Sequence, residues 1–318
     1  MCILITGSSG YFGKIVVRDL ISSGYRVVGI DIRRDPEQTE GEQFRFYDCS
    51  ITDREKLRDI FRREQPTDVL HFACTFNKVR DRRREYEIDV GGSVNVLETS
   101  NETDSVKRLI YSSSAAIYGA GNHNGLWISE TEPVNPGSYR YGVNKKLIEE
   151  AFFSAKRRAD LQIVSLRVCT VVGPLYFKSR SVVSILIKMP FLPGSFRKKK
   201  VQFMHEEDFV RIMREIISDN EIEGIFNLAA DSFSVVGEVV PEKRYINIPL
   251  TGLKPLLWVL WNMRILNLQP VSLRYCLYPV LIDPAKLAGR YRYSFRYSSS
   301  ESFAETVRNN RLPADAKF

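Results

Sequence analysis

Histidine and tryptophan are scarce in this chain, three of each in 318 residues, and cysteine is limited to five. The histidines, His71, His123 and His205, lie far apart, and no two cysteines form a C-x-x-C pair. That removes the closely spaced ligand sets of zinc sites, and no metal is expected. The cysteines (Cys2, Cys49, Cys74, Cys169 and Cys276) are odd in number, and no secretory signal precedes the first apolar run. The expectation is reduced thiols in a cytoplasmic protein. No apolar run is long enough for a membrane span. The most apolar segment, Leu253–Leu268, is short and interrupted by Lys254, Asn262 and Arg264. It reads as a buried or cleft-lining helix, with a lipid-docking or greasy-substrate surface as the alternative. There is no internal repeat and no low-complexity stretch. The basic residues form short runs, Arg82–Arg84 and Arg197–Lys200, without interleaved aromatics, so no nucleic-acid partner is expected.

What is present is ordinary globular material. The chain is 44% apolar and 26% charged, which excludes a disordered chain, a fibre or a coiled coil. Its length suits two domains, or one large domain with an appendage, and buries a core without staples. Lys and Arg exceed Asp and Glu by 46 to 38, a net charge of +8. That surplus suits phosphorylated ligands, or simply a solvated surface.

The first half alternates strand and helix. Strands are expected at Cys2–Thr6, Arg26–Ile32, Phe44–Tyr47, Val69–Ala73, Arg108–Ser112 and Gln162–Val168. Helices are expected at Gly10–Ser23, Asp53–Glu64, Arg84–Ser100 and Ser138–Ala159. Such alternation implies parallel β-α-β units with right-handed crossovers, and the apolar strands suit a sheet covered on both faces. The fold class expected is α/β, a Rossmann-type doubly wound parallel sheet with a smaller, irregular C-terminal substrate domain. Residues 1–173 with about 201–230 would form the nucleotide-binding domain. Residues 174–200 with 231–318, punctuated by Pro190, Pro193 and Gly194, would form the substrate domain.

Thr6–Gly13 reads T-G-S-S-G-Y-F-G between a strand and a helix. Gly7 permits a tight turn, Gly10 a close approach to a pyrophosphate, and Gly13 close helix–strand packing. The helix start offers unpaired N–H groups to phosphate. Ser9, Tyr11 and Phe12 complete the loop and are expected at the cofactor. Asp31 ends the second strand about 20 residues on, where a carboxylate accepts from ribose hydroxyls and repels a 2′-phosphate. Ile32 and Arg33 follow it. Asp31 favours NAD, while Arg33 and Arg34 leave NADP open.

Two further features converge. Tyr141 and Lys145 stand at i, i+4 on one helix face, where an ammonium lowers a phenol's pKa and fits it for acid/base work. Ser112-Ser-Ser114 ends a strand, where ligands of such sheets sit.

With these residues together, the chain resembles the extended short-chain dehydrogenase/reductases of the NAD-dependent epimerase/dehydratase branch, and is most similar to UDP-glucose 4-epimerase-like members. The segments that carry the resemblance are T-G-S-S-G-Y-F-G, Asp31, Asp48-Cys49, His71-Phe-Ala-Cys74, Ser112–Gly119, Tyr141/Lys145, Arg167–Pro174, Val201–Asp208, Asp283–Leu287 and Ser298–Phe303. The resemblance implies Tyr141 as acid/base, Lys145 at the nicotinamide ribose and Ser114 at the substrate oxygen. It places Phe72, Ala73, Cys74, Asp89, Ser112 and Val168 along the cofactor. Asp48 and Cys49 fall at adenine, Cys49 through its backbone N–H. Thr170 falls near substrate phosphates, and Arg197 and Lys198, with Lys178 and Arg180, could meet a diphosphate. It also implies a homodimer paired through Arg84–Ser100 and Ser138–Ala159. Ala115 and Ala116 stand where dehydratases carry Asp-Glu, so elimination lacks its proton carriers.

Three activities follow as expectations. The first is an NAD-dependent nucleotide-sugar epimerase that oxidises transiently and returns the hydride. The second is an NAD(P)-dependent dehydrogenase or ketoreductase acting on an apolar alcohol or ketone. The third is a non-catalytic dinucleotide-binding protein.

Overall fold

The computed structural model describes residues 1–76, 79–122, 124–176, 191–247, 255, 257–259, 261–263, 271 and 273–309. His123, Lys178, Arg180, Pro190 and most of Leu253–Leu268 lie outside the described residues. By packing, the chain divides into two compact units. One comprises residues 1–117, 140–168 and 210–226; the other comprises 118–139, 169–209 and 227–318. Relative to the boundaries expected from sequence, residues 118–139, 169–173, 201–209 and 227–230 pack with the second unit.

The first unit is built on strands β1 (Cys2–Thr6), β2 (Arg26–Asp31), β3 (Phe44–Asp48), β4 (Asp68–His71), β5 (Arg108–Ser114) and β6 (Gln162–Val168). They pair in parallel in the order β6-β5-β4-β1-β2-β3, and strand Gly224–Leu228 adds a seventh member beside β6. All five residues of β1 and all four of β4 are buried, as strands covered on both faces require. Helices α1 (Tyr11–Ser22), α2 (Arg54–Glu64), α4 (Gly92–Glu102) and α5 (Arg140–Ser154), with the short α3 (Arg82–Tyr86), make the crossovers. Leu4, Val28, Leu57, Phe61, Val96, Leu109 and Phe152 belong to one buried cluster. Each such side chain contributes about 1.5–3 kcal/mol of transfer free energy. The strand order reverses between β1 and β4, which opens a crevice beyond their carboxyl ends.

The expected elements differ from the observed ones in three places that shape the site. The helix expected at Arg84–Ser100 is interrupted by a π turn, Glu87–Gly91. There the Ser93 hydroxyl donates to the Asp89 carbonyl at 2.5 Å, and the wide turn leaves the Asp89 side chain buried. The helix expected at Ser138–Ala159 stops at Ser154. Arg158 beyond it donates to the Val106 carbonyl at 2.6 Å and to the Asn101 carbonyl, which draws the chain off the helix axis. β4 ends at His71, so Phe72 and Ala73 form the loop above it, whereas β5 runs on to Ser114.

Among the described residues, the second unit carries three two-stranded sheets. Thr170–Val172 pairs with Phe203–His205, Lys200–Val201 with Ser234–Val235, and Phe191–Pro193 with Arg244–Ile246. A buried carboxylate holds the start of its tail. Asp208 accepts from the Tyr293 hydroxyl at 2.7 Å and from the backbone N–H groups of Arg296 and Tyr297 at 3.1 and 3.2 Å. Among the described residues no helix is long and apolar enough to cross a membrane, and no three His, Cys, Asp or Glu side chains gather as a metal site.

Candidate active site

The glycine loop joins β1 to α1 by direct backbone contact. Gly7 has φ +72°, and its N–H donates to the Ile30 carbonyl at 2.8 Å. A Cβ on Gly7 would lie 2.7 Å from the Ala73 nitrogen, and one on Gly13 would overlap the Gly7 carbonyl oxygen. Only glycine fits either position. α1 begins after Gly10 with no capping side chain and no acidic residue in its first turn. The positive end of its dipole therefore meets no acidic side chain of the helix's own first turn and suits an anion. That is what a pyrophosphate needs, so the loop fits a dinucleotide.

Asp31 closes this end of the site. Its Oδ2 accepts from Ser9 N–H at 3.0 Å and its Oδ1 from Ile32 N–H at 2.8 Å, which fixes the carboxylate beside the loop. Arg34 is engaged by its own turn, donating to the Gln38 carbonyl at 2.9 and 3.0 Å. Arg33 is exposed. The Tyr11 and Phe12 rings lie 5.8 Å apart tilted by 41°, and Phe12 meets Phe72 edge-on at 6.1 Å, which gives the loop an aromatic flank. Asp48 is exposed and lies opposite Asp31 in the β2–β3 ladder. The Cys49 backbone N–H, expected at adenine, instead donates to the Asp31 carbonyl at 3.0 Å and extends that ladder. Burial pushes the Cys49 thiol up to about 11, so it stays neutral at pH 7.

α5 carries Tyr141 and Lys145. Its buried stripe includes Asn144, Lys145 and Glu149, an unusual load of polarity for a core-facing surface. Glu149 is paired with Arg167 at 2.5 Å and accepts from the Ser165 hydroxyl at 2.7 Å. The Lys145 ammonium donates to the Ser112 carbonyl at 2.5 Å, at the carboxyl end of β5. It lies 5.6 Å from the Tyr141 ring centre and 4.6 Å from that of Tyr111. Burial lowers the Lys145 pKa, while the negative charge that Cys74 and Asp89 can carry opposes the shift. Ser114 Oγ accepts from Ala116 N–H at 3.2 Å, and Ser114 lies opposite Val168 in the β5–β6 ladder. The buried Ser112 hydroxyl donates to the His71 carbonyl at 3.3 Å.

Residues 3–229 match the model of the NAD dependent epimerase/dehydratase family. The chain belongs to that family. Among similar proteins, the UDP-glucose 4-epimerase of Drosophila melanogaster is 31% identical over 190 residues, 54% of this chain and 53% of that protein. That of Lacticaseibacillus casei is 29% identical over 179 residues, 55% of this chain and 53% of the relative. The alignments thus span about half the length of these curated relatives. Among solved structures, the Thermotoga maritima UDP-glucose 4-epimerase with UDP-glucose superposes with a TM-score of 0.76, at 24% identity, covering 97% of this chain and 98% of that one. The Bordetella bronchiseptica enzyme WbmG in complex with NAD superposes at 0.75, with 20% identity, 97% and 93% coverage.

In this family member a buried polar chain supports the site that motif spacing does not single out. His71 is fully buried between the Thr6 hydroxyl at 2.6 Å and the Ser93 hydroxyl at 2.8 Å. Burial, helped by the Lys145 charge, pushes its pKa down to about 3. Asp89, expected along the cofactor, is 3% exposed. Its carboxylate accepts from Thr75 N–H at 2.8 Å, the Thr75 hydroxyl at 3.1 Å and the Asn144 amide at 3.2 Å. Asn144, three residues after Tyr141 and so on the same helix face, is the one member the i, i+3 rule could have found. Cys74 is partly exposed in the loop next to Ala73. Thr170, Arg197 and Lys198 are exposed residues of the second unit, where Arg197 lies 5.5 Å from the Tyr245 ring centre.

Proposed function

We propose that this protein is an NAD-dependent nucleotide-sugar epimerase of the UDP-glucose 4-epimerase type. The reading rests above all on the buried Lys145 ammonium, tied to the Ser112 carbonyl one helical turn from Tyr141. Burying a charge is costly, and its retention beside a phenol points to chemistry. The names of the similar proteins point the same way.

The glycine loop would admit the NAD pyrophosphate at the start of α1, and Asp31 would accept from a ribose hydroxyl. Phe72, Ala73, Ser112 and Val168 would line the same path, with Asp48 toward adenine. When bound, NAD supplies a hydride acceptor that can return the hydride. The Tyr141 phenol oxygen would take the proton of the reacting sugar hydroxyl and give it back on return. Lys145 would favour the phenolate through its charge, and Ser114 Oγ would donate to the same sugar oxygen. Ala115 and Ala116 offer no carboxylate for removing water, which favours epimerisation over dehydration. Thr170, Arg197 and Lys198 are the proposed diphosphate contacts. A cytoplasmic homodimer paired through α4 and α5 completes the proposal.

The test begins with protein purified without added nucleotide and then denatured. Near-stoichiometric release of NAD, with interconversion of UDP-galactose and UDP-glucose, is expected. Tyr141→Phe should lower turnover by at least about 100-fold. An empty site that exchanges NADP or NAD on every cycle would replace the epimerase with a dehydrogenase or reductase.

A further inference from the structure

Phe76 is set against Tyr141 in a backbone conformation that phenylalanine disfavours. Its φ is +39°, in the left-handed region that a residue with a Cβ adopts only when its surroundings impose it. The residue is 40% exposed, so core burial does not hold it there. The ring meets that of Tyr141 at right angles, 89° between planes with centroids 5.0 Å apart, the favoured edge-to-face geometry.

The preceding residue imposes this placement. Thr75 gives both its backbone N–H and its hydroxyl to the Asp89 carboxylate, at 2.8 and 3.1 Å. The same carboxylate accepts from Asn144, which lies between Tyr141 and Lys145 on α5. Asp89 comes from the π turn, a feature that often marks functional positions. One buried carboxylate therefore ties the residue before Phe76 to the helix that carries Tyr141. Glycine would adopt the backbone of position 76 freely, so the phenyl ring itself is the feature that needs a reason.

We infer that Phe76 is a positioning residue for Tyr141, an aromatic stop set by the Asp89–Thr75 clamp that holds the phenol ring in one orientation. The inference rests on the reading of Tyr141 as the acid/base. In its absence the phenol would swing on its side-chain torsions, and fewer encounters would find its oxygen in line with the substrate hydroxyl.

The test uses the full chain labelled with ring-13C tyrosine, the Tyr141 signal being the one lost in Tyr141→Phe. In Phe76→Gly that signal is expected to move and its ring to flip faster. The thermal midpoint should hold, because glycine relieves the left-handed backbone. Turnover of UDP-galactose should fall about 10-fold with KM changed less than about twofold, the pattern of lost orientation rather than lost binding. Phe76→Tyr, which restores an aromatic edge, should recover most of both effects. Asp89→Asn should move the Tyr141 signal in the same direction through the clamp. Should the glycine variant not fold, Phe76→Leu makes the same comparison with side-chain volume nearly kept. A Tyr141 signal unmoved by loss of the Phe76 ring overturns the inference whatever the turnover. A moved signal with wild-type turnover overturns it as well. Wild-type protein that carries NAD yet interconverts no UDP-sugar overturns the proposed function instead, and the Tyr141 signal still decides whether Phe76 orders that ring.

Discussion

Replacing Gly7 with alanine probes the tightest joint in the nucleotide site. The Gly7 backbone has φ +72°, a conformation that costs an L-residue about 1–2 kcal/mol. The added Cβ would also lie 2.7 Å from the Ala73 nitrogen and 2.8 Å from its Cα. Those are main-chain atoms that no rotamer change can move, and overpacking of this kind costs about 1–3 kcal/mol. The expected loss is about 2–5 kcal/mol. Gly24 supplies the control, because it has φ +84° but nothing within 4 Å of its Cβ position. Gly24→Ala should lose only the conformational part, about 1–2 kcal/mol. Urea unfolding followed by far-UV circular dichroism would measure both losses. Bound NAD recovered after purification should fall in the Gly7 variant and hold in the Gly24 variant. Equal losses of stability in the two would refute the claim that the glycine loop is sterically closed against the β4 loop.

Three other outcomes are expected. Arg108 donates to Asp68 at 2.6 Å and to the carbonyls of Ile216 and Ile217 at 3.0 and 2.6 Å, all buried. Arg108→Ala leaves the buried Asp68 carboxylate without its cation and should cost about 3–5 kcal/mol in thermal unfolding; Arg108→Lys should recover only part. His71 has an ordinary pKa of 6.5 that burial lowers to about 3 in the folded protein. The unfolded chain therefore binds the extra proton between those values, and stability falls as pH drops from 6.5 toward 3. The His71 contribution from pH 7.5 to 5 should be about 2 kcal/mol, read from urea midpoints as the difference between wild type and His71→Gln over that range. Asp31→Ser removes the charge that repels a 2′-phosphate, and calorimetry should find the NADP-to-NAD affinity ratio raised at least about tenfold.

Local pattern was enough for the scaffold. Apolar runs such as Cys2–Thr6, helical periodicity and the T-G-S-S-G-Y-F-G turn act over a few residues, so β-α-β order and the family were legible in the chain alone. The pairing of Tyr141 with Lys145 is likewise helix geometry. The Ser112 carbonyl that holds Lys145 is 33 residues from it in the chain. The Asp89 clamp joins Thr75 to Asn144 across 14 and 55 residues. The Cys49 N–H is occupied by the Asp31 carbonyl on the neighbouring strand. His71 reads in the sequence as an ordinary titratable group, and burial together with the Lys145 charge makes it a neutral one. These features depend on which strand lies beside which, and on where a helix widens by one residue to turn a side chain inward. Hydrogen bonds and desolvation act through space, so they became visible only when packing brought distant residues together.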